Sequence, residues 1–298
     1  MLRMVLSGAQ RVVAIGAAIV ALAACGTSDD DDVDAGGPAP LIATTTIWAD
    51  ITSHVACGEQ VDSIVPGGAD PHSFEPSLRD RELLGGAGAV IANGGGLEAS
   101  LTDLVDTAAG DGVPVVLVAD HVDVVDGDPH IWQDPRRVIA ALDAIESAVV
   151  VAGRDPAAVA ECADAYRSEL TALDEDIVAA LAPVPSGRRV MVTNHDAFGY
   201  FAERYGFQII GTVIPSLSTL GEASAGQLAE LADAIARNDV PAIFAERLGS
   251  ATEAEALAKR LGVAVVELDS DALEDDGPAA TYTGMMRANA EAIAAALS

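Results

Sequence analysis

Basic residues are scarce: 16 Lys and Arg stand against 46 Asp and Glu, and the formal charge of the 298-residue chain is −30. A surface of that sign repels a phosphate backbone, which excludes nucleic acid as a partner and favours the accumulation of cations. Aromatics make up only 4% of residues, so the core must rest on Ala, Val, Leu and Ile. The three cysteines have no C-x-x-C spacing, which excludes a zinc knuckle and a vicinal redox pair. No H-E-x-x-H occurs, so the helix-borne histidine pair of many zinc hydrolases is missing. The N-terminal apolar run, Val12 to Ala24, is too short to span a bilayer comfortably. Histidine is also thinly used, with five in the chain.

Two of those five histidines sit in one repeated phrase. Ala69-Asp70-Pro71-His72-Ser73-Phe74-Glu75-Pro76 is a looser copy of Gly127-Asp128-Pro129-His130-Ile131-Trp132-Gln133-Asp134-Pro135. In each, Asp-Pro presents a histidine, an aromatic follows two residues later, and a second Pro closes the loop. Proline fixes its own φ and restricts the residue before it, so these loops are stiff. Stiff loops holding neutral imidazoles are what a metal site needs. Asp-Pro also starts helices, with Asp as cap and Pro at the first helical position. Capping accounts for the Asp-Pro pairs but not for the histidine after them.

Residues 1–24 read as an export signal, with Arg3 and Arg11 flanking the apolar run. The run ends in Leu22-Ala23-Ala24-Cys25, which resembles a bacterial lipobox with Cys25 as the acylated first residue of the mature chain. An ordinary signal peptide or an uncleaved anchor is the alternative. More than one acyl chain on Cys25 would hold the protein to a membrane far better than one. Residues 25–40 then form the anchor and a disordered tether, acidic and poor in large apolar side chains. Asp29 to Asp32 could collect metal, but carboxylates alone bind transition metals weakly, and a solvated spacer is the plainer reading.

Beyond the tether, strands and helices alternate. Strands are expected at 41–46, 61–65, 89–92, 115–118, 190–193, 207–210, 242–245 and 263–268. Helices are expected at 47–57, 77–84, 97–108, 135–152, 156–181, 197–205, 224–237, 250–261 and 282–297. The all-apolar strands suit a parallel sheet covered on both faces. The helix from Asp155-Pro156 to Leu181 would be ~39 Å long and could cross between lobes. The simplest account is an N-terminal lobe (41–154), a linking helix (155–183) and a C-terminal lobe (184–298), each lobe α/β and doubly wound. Cys57 and Cys162 are expected to form a disulfide outside the cytoplasm, with two buried thiols as the alternative.

Open α/β sheets place ligands beyond the carboxyl ends of their strands. His72, His130, His195 and Asp271 each follow a strand there, and three imidazoles with one carboxylate suit Zn(II). His195, in Asn194-His195-Asp196, could instead open a capped helix. Asp269, Glu274, Asp275 and Glu246 compete with Asp271. Glu246 is the reserve fourth ligand, and otherwise an acceptor behind an imidazole N–H. His54 reads as a core or surface residue within a helix, and His121 as part of a solvated acidic loop. Proton competition should weaken binding as pH drops through ~6.5.

These phrases, with Asn194-His195-Asp196-Ala197-Phe198-Gly199-Tyr200-Phe201, Ser270-Asp271-Ala272-Leu273 and Thr281-Tyr282-Thr283-Gly284-Met285-Met286, resemble the zinc and manganese solute-binding lipoproteins of ABC transporters (cluster A-I). The resemblance covers nearly the whole mature chain. It implies two doubly wound lobes joined by one long rigid helix, with metal in the cleft between them. It also implies the ligands His72, His130, His195 and Asp271, and delivery to a membrane permease driven by a cytoplasmic ATPase. Manganese-preferring relatives tend to place a carboxylate where His195 stands, so the chain resembles the zinc type. The long His-rich insertion of many zinc-specific relatives is missing between Asp120 and Asp128.

The expected function is therefore capture of Zn(II) on the extracytoplasmic face of the cell membrane by a lipid-anchored monomer, without catalysis. The alternatives are a Mn(II)-preferring relative, a zinc hydrolase, or a surface adhesin that serves no transporter. A hydrolase usually keeps three protein ligands and an open water position, whereas four ligands fill the tetrahedron here.

Overall fold

Runs of three to five apolar residues, each followed by a helical segment, can pair only through crossovers, and two parallel sheets result. The computed structural model describes residues 37–247 and 252–298. The signal segment, Cys25 and most of the tether lie outside the described residues, as does Ser250, the expected start of a helix. Strands β1 (Leu41–Ala43), β2 (Asp62–Ser63), β3 (Ala89–Ala92) and β4 (Val115–Leu117) form one sheet in the order β2-β1-β3-β4. Strands β5 (Val190–Thr193), β6 (Gln208–Thr212), β7 (Ala242–Glu246) and β8 (Ala264–Leu268) form the other in the order β6-β5-β7-β8. Every pairing is parallel. The same winding therefore occurs twice, and each sheet has a switch point where the strand order reverses.

The helices are α1 (Thr46–Val55), α2 (Leu78–Gly85), α3 (Thr102–Gly110), α4 (Pro135–Val151), α5 (Pro156–Leu181), α6 (Gly199–Tyr205), α7 (Ala225–Arg237), α8 (Thr252–Leu261) and α9 (Tyr282–Leu297). Their starts follow local chemistry. Asp134 and Asp155 accept from backbone N–H groups of the first turns of α4 and α5, each with proline at the head of the helix. Ser77 with Asp80, and Ser224 with Gln227, close capping boxes on α2 and α7. None of the described helices is long and apolar enough to cross a membrane.

Several boundaries differ from the periodicity. The first strand stops at Ala43 rather than Thr46, because Thr45 caps α1 and the Thr44 hydroxyl turns to Glu98 Oε1 at 2.6 Å. Only Asp62 and Ser63 of 61–65 pair as a strand. The helix expected over 97–108 is a 3₁₀ turn at Ala99–Leu101 followed by α3. Helix α6 starts at Gly199 rather than Ala197. At the end of β1 the Thr45 cap and the long-range Thr44 bond override the strand propensity of the threonines.

Among the described residues, three apolar clusters hold the structure. One, with Val90, Leu84, Leu101 and Val105, lies between the first sheet and α2 and α3. A second, with Val192, Leu231, Ile235 and Leu257, lies between the second sheet and α7 and α8. The third runs through both halves and draws Trp48, Ile145, Leu170, Leu173, Phe201, Phe244 and Met286 from α1, α4, α5, α6, β7 and α9. The two sheets are therefore tied through one shared core rather than by a flexible strap, and α5 packs on α1, α4 and α9 within it.

Cys57 and Cys162 are bonded, with Cα atoms 5.4 Å apart and a separation of 105 positions in sequence. The bond pins the end of α1 to the first turns of α5. A loop of that length contributes about 4.7 kcal/mol in the chain-entropy model. Cys57→Ser with Cys162→Ser is expected to lower the unfolding free energy by no more than that, with metal affinity unchanged within twofold. Equilibrium unfolding and calorimetry check both halves of the expectation.

Candidate metal centre

Each sheet delivers its polar residues at the carboxyl ends of its strands. The loop after β2 carries His72, and the segment after β4 runs through a 3₁₀ turn at Val118–His121 to reach His130. His195 stands two residues beyond β5, Glu246 ends β7, and Asp271 lies three residues beyond β8. The structure brings His72, His130, His195 and Asp271 together, with one potential ligand atom of each within 4.8 Å of all the others. His130 Nε2 is 3.3 Å from His72 Nε2 and 3.1 Å from His195 Nε2. The Asp271 carboxylate faces them, with Oδ1 3.9 Å from His130 Nε2 and Oδ2 3.7 Å from His195 Nε2. All four side chains are buried, His72 being the most open at 7%. No other such group of three or more His, Cys, Asp or Glu occurs among the described residues.

The histidines are aimed by carboxylates behind them. Asp70 Oδ1 accepts the His72 backbone N–H at 2.9 Å. Asp128 Oδ1 accepts both the His130 N–H at 2.9 Å and, from the ring, Nδ1 at 2.7 Å. Glu246 takes the His195 backbone N–H on Oε1 at 3.1 Å and pairs by charge with the ring, its Oε2 lying 2.5 Å from Nδ1. An ionised carboxylate can only accept, so Nδ1 of His130 and of His195 carries a proton, and the Nε2 atom of each ring faces inward. Glu246 therefore stands behind His195, and Asp271 takes the fourth inward position. The competing acids are occupied: Asp269 and Glu274 pair with Arg247.

Asp271 carries the clearest mark of an incomplete site. Neither of its carboxylate oxygens finds a hydrogen-bond donor among the described residues. A buried carboxylate with no hydrogen-bond donor is costly, and a metal cation among the four groups would lower that cost. The Asp271 loop is meanwhile fixed from the other half. Trp132 Nε1 and Gln133 Nε2 donate to the Ser270 carbonyl at 2.7 and 3.3 Å, and the Leu273 N–H donates to Thr46 Oγ1 at 2.8 Å.

Proton affinities follow from the same crowding. Burial, then the neighbouring imidazoles of His130 and His195, push His72 down to about 4. Burial and His195 push His130 well below its ordinary value. His195 moves the other way: burial would lower it, but the bond to Glu246 and the charges of Asp271 and Glu246 outweigh burial and raise it to about 9. Burial raises Asp271 to about 7, against the opposing charge of His195. One extra proton therefore sits on His195 Nε2 near neutrality, shared toward the His130 Nε2 lone pair.

The remaining histidines stay outside. His54 stacks on Tyr166, ring centroids 4.4 Å apart, and lies 3.8 Å from Asp50. His121 is exposed beside Asp120. Two contributors escape sequence reasoning. Asn93 bridges the Trp48 indole and the Pro129 carbonyl just before His130, and the Tyr200 hydroxyl donates to the Asp128 carbonyl at 2.8 Å. The aromatic of Gly199-Tyr200-Phe201 so soon after His195 was the available signal for Tyr200, whereas Asn93 gave none.

The family model for zinc-uptake complex component A, periplasmic (ZnuA), matches residues 41–296. The chain is 32% identical over 287 residues to the zinc-binding protein TroA of Treponema pallidum, covering 90% of this chain and 91% of that protein. It is 31% identical over 287 residues to the manganese-binding lipoprotein MntA of Halalkalibacterium halodurans, covering 93% and 94%. The solved structure of the Treponema pallidum periplasmic zinc-binding protein TroA superposes with a TM-score of 0.81, covering 88% of this chain and all of that one. A cadmium-bound periplasmic metal-binding protein from Candidatus Liberibacter asiaticus, at 21% identity and a TM-score of 0.77, shares the fold. The chain belongs to the ZnuA family, the periplasmic metal-binding components of ABC transporters that make up the zinc and manganese solute-binding cluster A-I.

Proposed function

We propose that the protein captures Zn(II) outside the cytoplasm with His72, His130, His195 and Asp271 and delivers it to an ABC permease driven by a cytoplasmic ATPase. The observation that supports this most is the meeting of three inward imidazole nitrogens with a carboxylate that has no hydrogen-bond donor among the described residues. Three imidazoles and one oxygen form a borderline donor set that suits tetrahedral Zn(II) better than Mn(II), which prefers oxygen ligands and six-coordination. Relatives carry both metals in their names, zinc for TroA and manganese for MntA. Manganese is therefore the second reading. Capture and release occur by ligand exchange, with no bond made or broken in a substrate. The lobes are those of 41–154 and 184–298, with α5 linking them, and Cys25 supplies the lipid anchor on the extracytoplasmic face.

Metal analysis of protein purified without added metal, followed by competition between Zn(II) and Mn(II), tests the assignment. One zinc per chain, retained against excess Mn(II), is expected. Displacement of zinc by equimolar Mn(II) would turn the assignment to manganese. A deletion strain should fail to grow under zinc chelation and recover with added zinc, and normal growth would count against import.

Because His195 holds a proton near neutrality and zinc needs its Nε2 lone pair, binding must expel that proton. The sign follows directly: the metal-free form binds the extra proton below about 9, so affinity rises with pH up to that point. The pH dependence is therefore set well above the ordinary histidine range near ~6.5. Calorimetry at pH 7.5 in two buffers of different ionisation enthalpy is expected to count about one proton released per zinc. A count of zero would contradict this.

Glu246→Gln keeps the size of the side chain but weakens its hold on the His195 Nδ1–H. Zinc affinity is expected to fall roughly tenfold to a hundredfold. The proton count at pH 7.5 should fall with it, since the charge that raises His195 is gone. An unchanged affinity would show that Glu246 plays no part in aiming His195.

A further inference from the structure

Asp174 lies on α5 among apolar residues, two turns before the helix ends, and is only 6% exposed. No part of the metal site touches it. Its Oδ2 accepts from Arg136 Nε at 3.1 Å and from Arg204, and its Oδ1 accepts from the Tyr205 hydroxyl at 3.1 Å. Burial alone would raise this carboxyl, but the Arg204 and Arg136 bonds outweigh burial and hold it below its ordinary value. It is therefore an anion bound from two directions.

Those directions matter because of where the donors sit. Arg136 is in the first turn of α4, six residues after His130. Arg204 and Tyr205 end α6, the short helix that begins four residues after His195. The same helix returns to the His130 loop from its other end. The Tyr200 hydroxyl donates to the Asp128 carbonyl at 2.8 Å and accepts the Val125 N–H at 3.0 Å. A Cβ on Gly199 would come within 2.7 Å of Asp128 Oδ2, so the two segments meet at the closest distance glycine allows. Asp128 in turn holds the His130 ring. A closed ring of bonds thus runs from His130 through Arg136, Asp174, Arg204, α6, Tyr200 and Asp128 back to His130.

We propose that Asp174 is a positioning residue for the metal centre, fixing the separation of His130 and His195 by clamping the helices that follow them. The clamp rests on the metal-binding reading and adds a residue to it that touches neither metal nor ligand. Removing one acceptor from a buried network leaves its donors unpaired, and α4 and α6 then move apart more easily. Two of the three nitrogen ligands lose their fixed spacing, and the held metal leaves faster.

The test uses the full chain loaded with Zn(II) or Co(II). Zinc release to excess chelator is timed by stopped flow, the Co(II) visible spectrum reports ligand geometry, and thermal unfolding of the metal-free protein reports stability. Asp174→Asn is expected to release zinc about tenfold faster and to alter the Co(II) bands. Arg136→Gln, at a side chain 64% exposed, should give about threefold. The double variant should release no faster than Asp174→Asn alone, because both changes break one bridge. Asp176→Asn, two residues along α5 and paired with Arg287 at the surface, should leave release unchanged. If Asp174→Asn lowers the unfolding temperature while release stays within twofold and the Co(II) bands do not move, the residue is merely structural and the proposal falls. If Asp174→Asn does not fold, Arg136→Gln decides: release and Co(II) bands like those of the unaltered protein would overturn it. Failure of the unaltered protein to take up one zinc or cobalt would overturn the metal reading itself, and this proposal with it.

Discussion

Three imidazole nitrogens within 3.3 Å of their neighbours, facing a carboxylate with no donor among the described residues, make an arrangement that is unfavourable without a cation. Much of the rest of the structure keeps that arrangement from relaxing. Carboxylates stand behind His130 and His195 and hold the outward edges of their rings, so those two rings cannot turn away. Two sheets of identical winding bring their strand ends to the same point, and a shared core keeps the sheets there. Like-charge repulsion and burial then split the three histidines, two of them losing protons easily and one keeping its proton to about 9.

The carboxylates divide into two kinds by position. Asp70 and Asp128 act within their own loops, two residues before the histidine they hold, so each Asp-Pro-His phrase carries its own orientation. Glu246 acts from a different strand, 51 residues from His195, and only the folded second sheet supplies it. The first pattern can be copied along a chain, which explains why the phrase occurs twice. The second cannot, which explains why His195 lacks the Asp-Pro prefix and still reaches the same orientation.

Legibility in the sequence followed the range of the interactions. Caps at Asp134, Asp155, Ser77 and Ser224 were readable because the partners lie within three residues. The alternation of apolar strands with helices gave the doubly wound class and the long α5. The end of β1 was not readable, because Thr44 and Thr45 look like strand residues and turn into a side-chain bond to Glu98 and a cap. Likewise Glu246 could be named as ligand or support but not chosen between, since the choice depends on which face of β7 meets His195. Asp174 left a faint trace: it falls four residues after Leu170 on the buried stripe of α5, an acid where the period calls for an apolar residue.

The central claim is that these four side chains, and not Glu246, surround the metal. A crystal structure of the zinc-loaded protein with anomalous data at the zinc edge tests it most directly. The account predicts one zinc bound to Nε2 of His72, His130 and His195 at about 2.0–2.1 Å and to an Asp271 carboxylate oxygen at about 2.0–2.2 Å. Glu246 should remain on the His195 Nδ1–H. Zinc bound to Glu246 in place of Asp271, or an anomalous peak away from the three histidines, would contradict it.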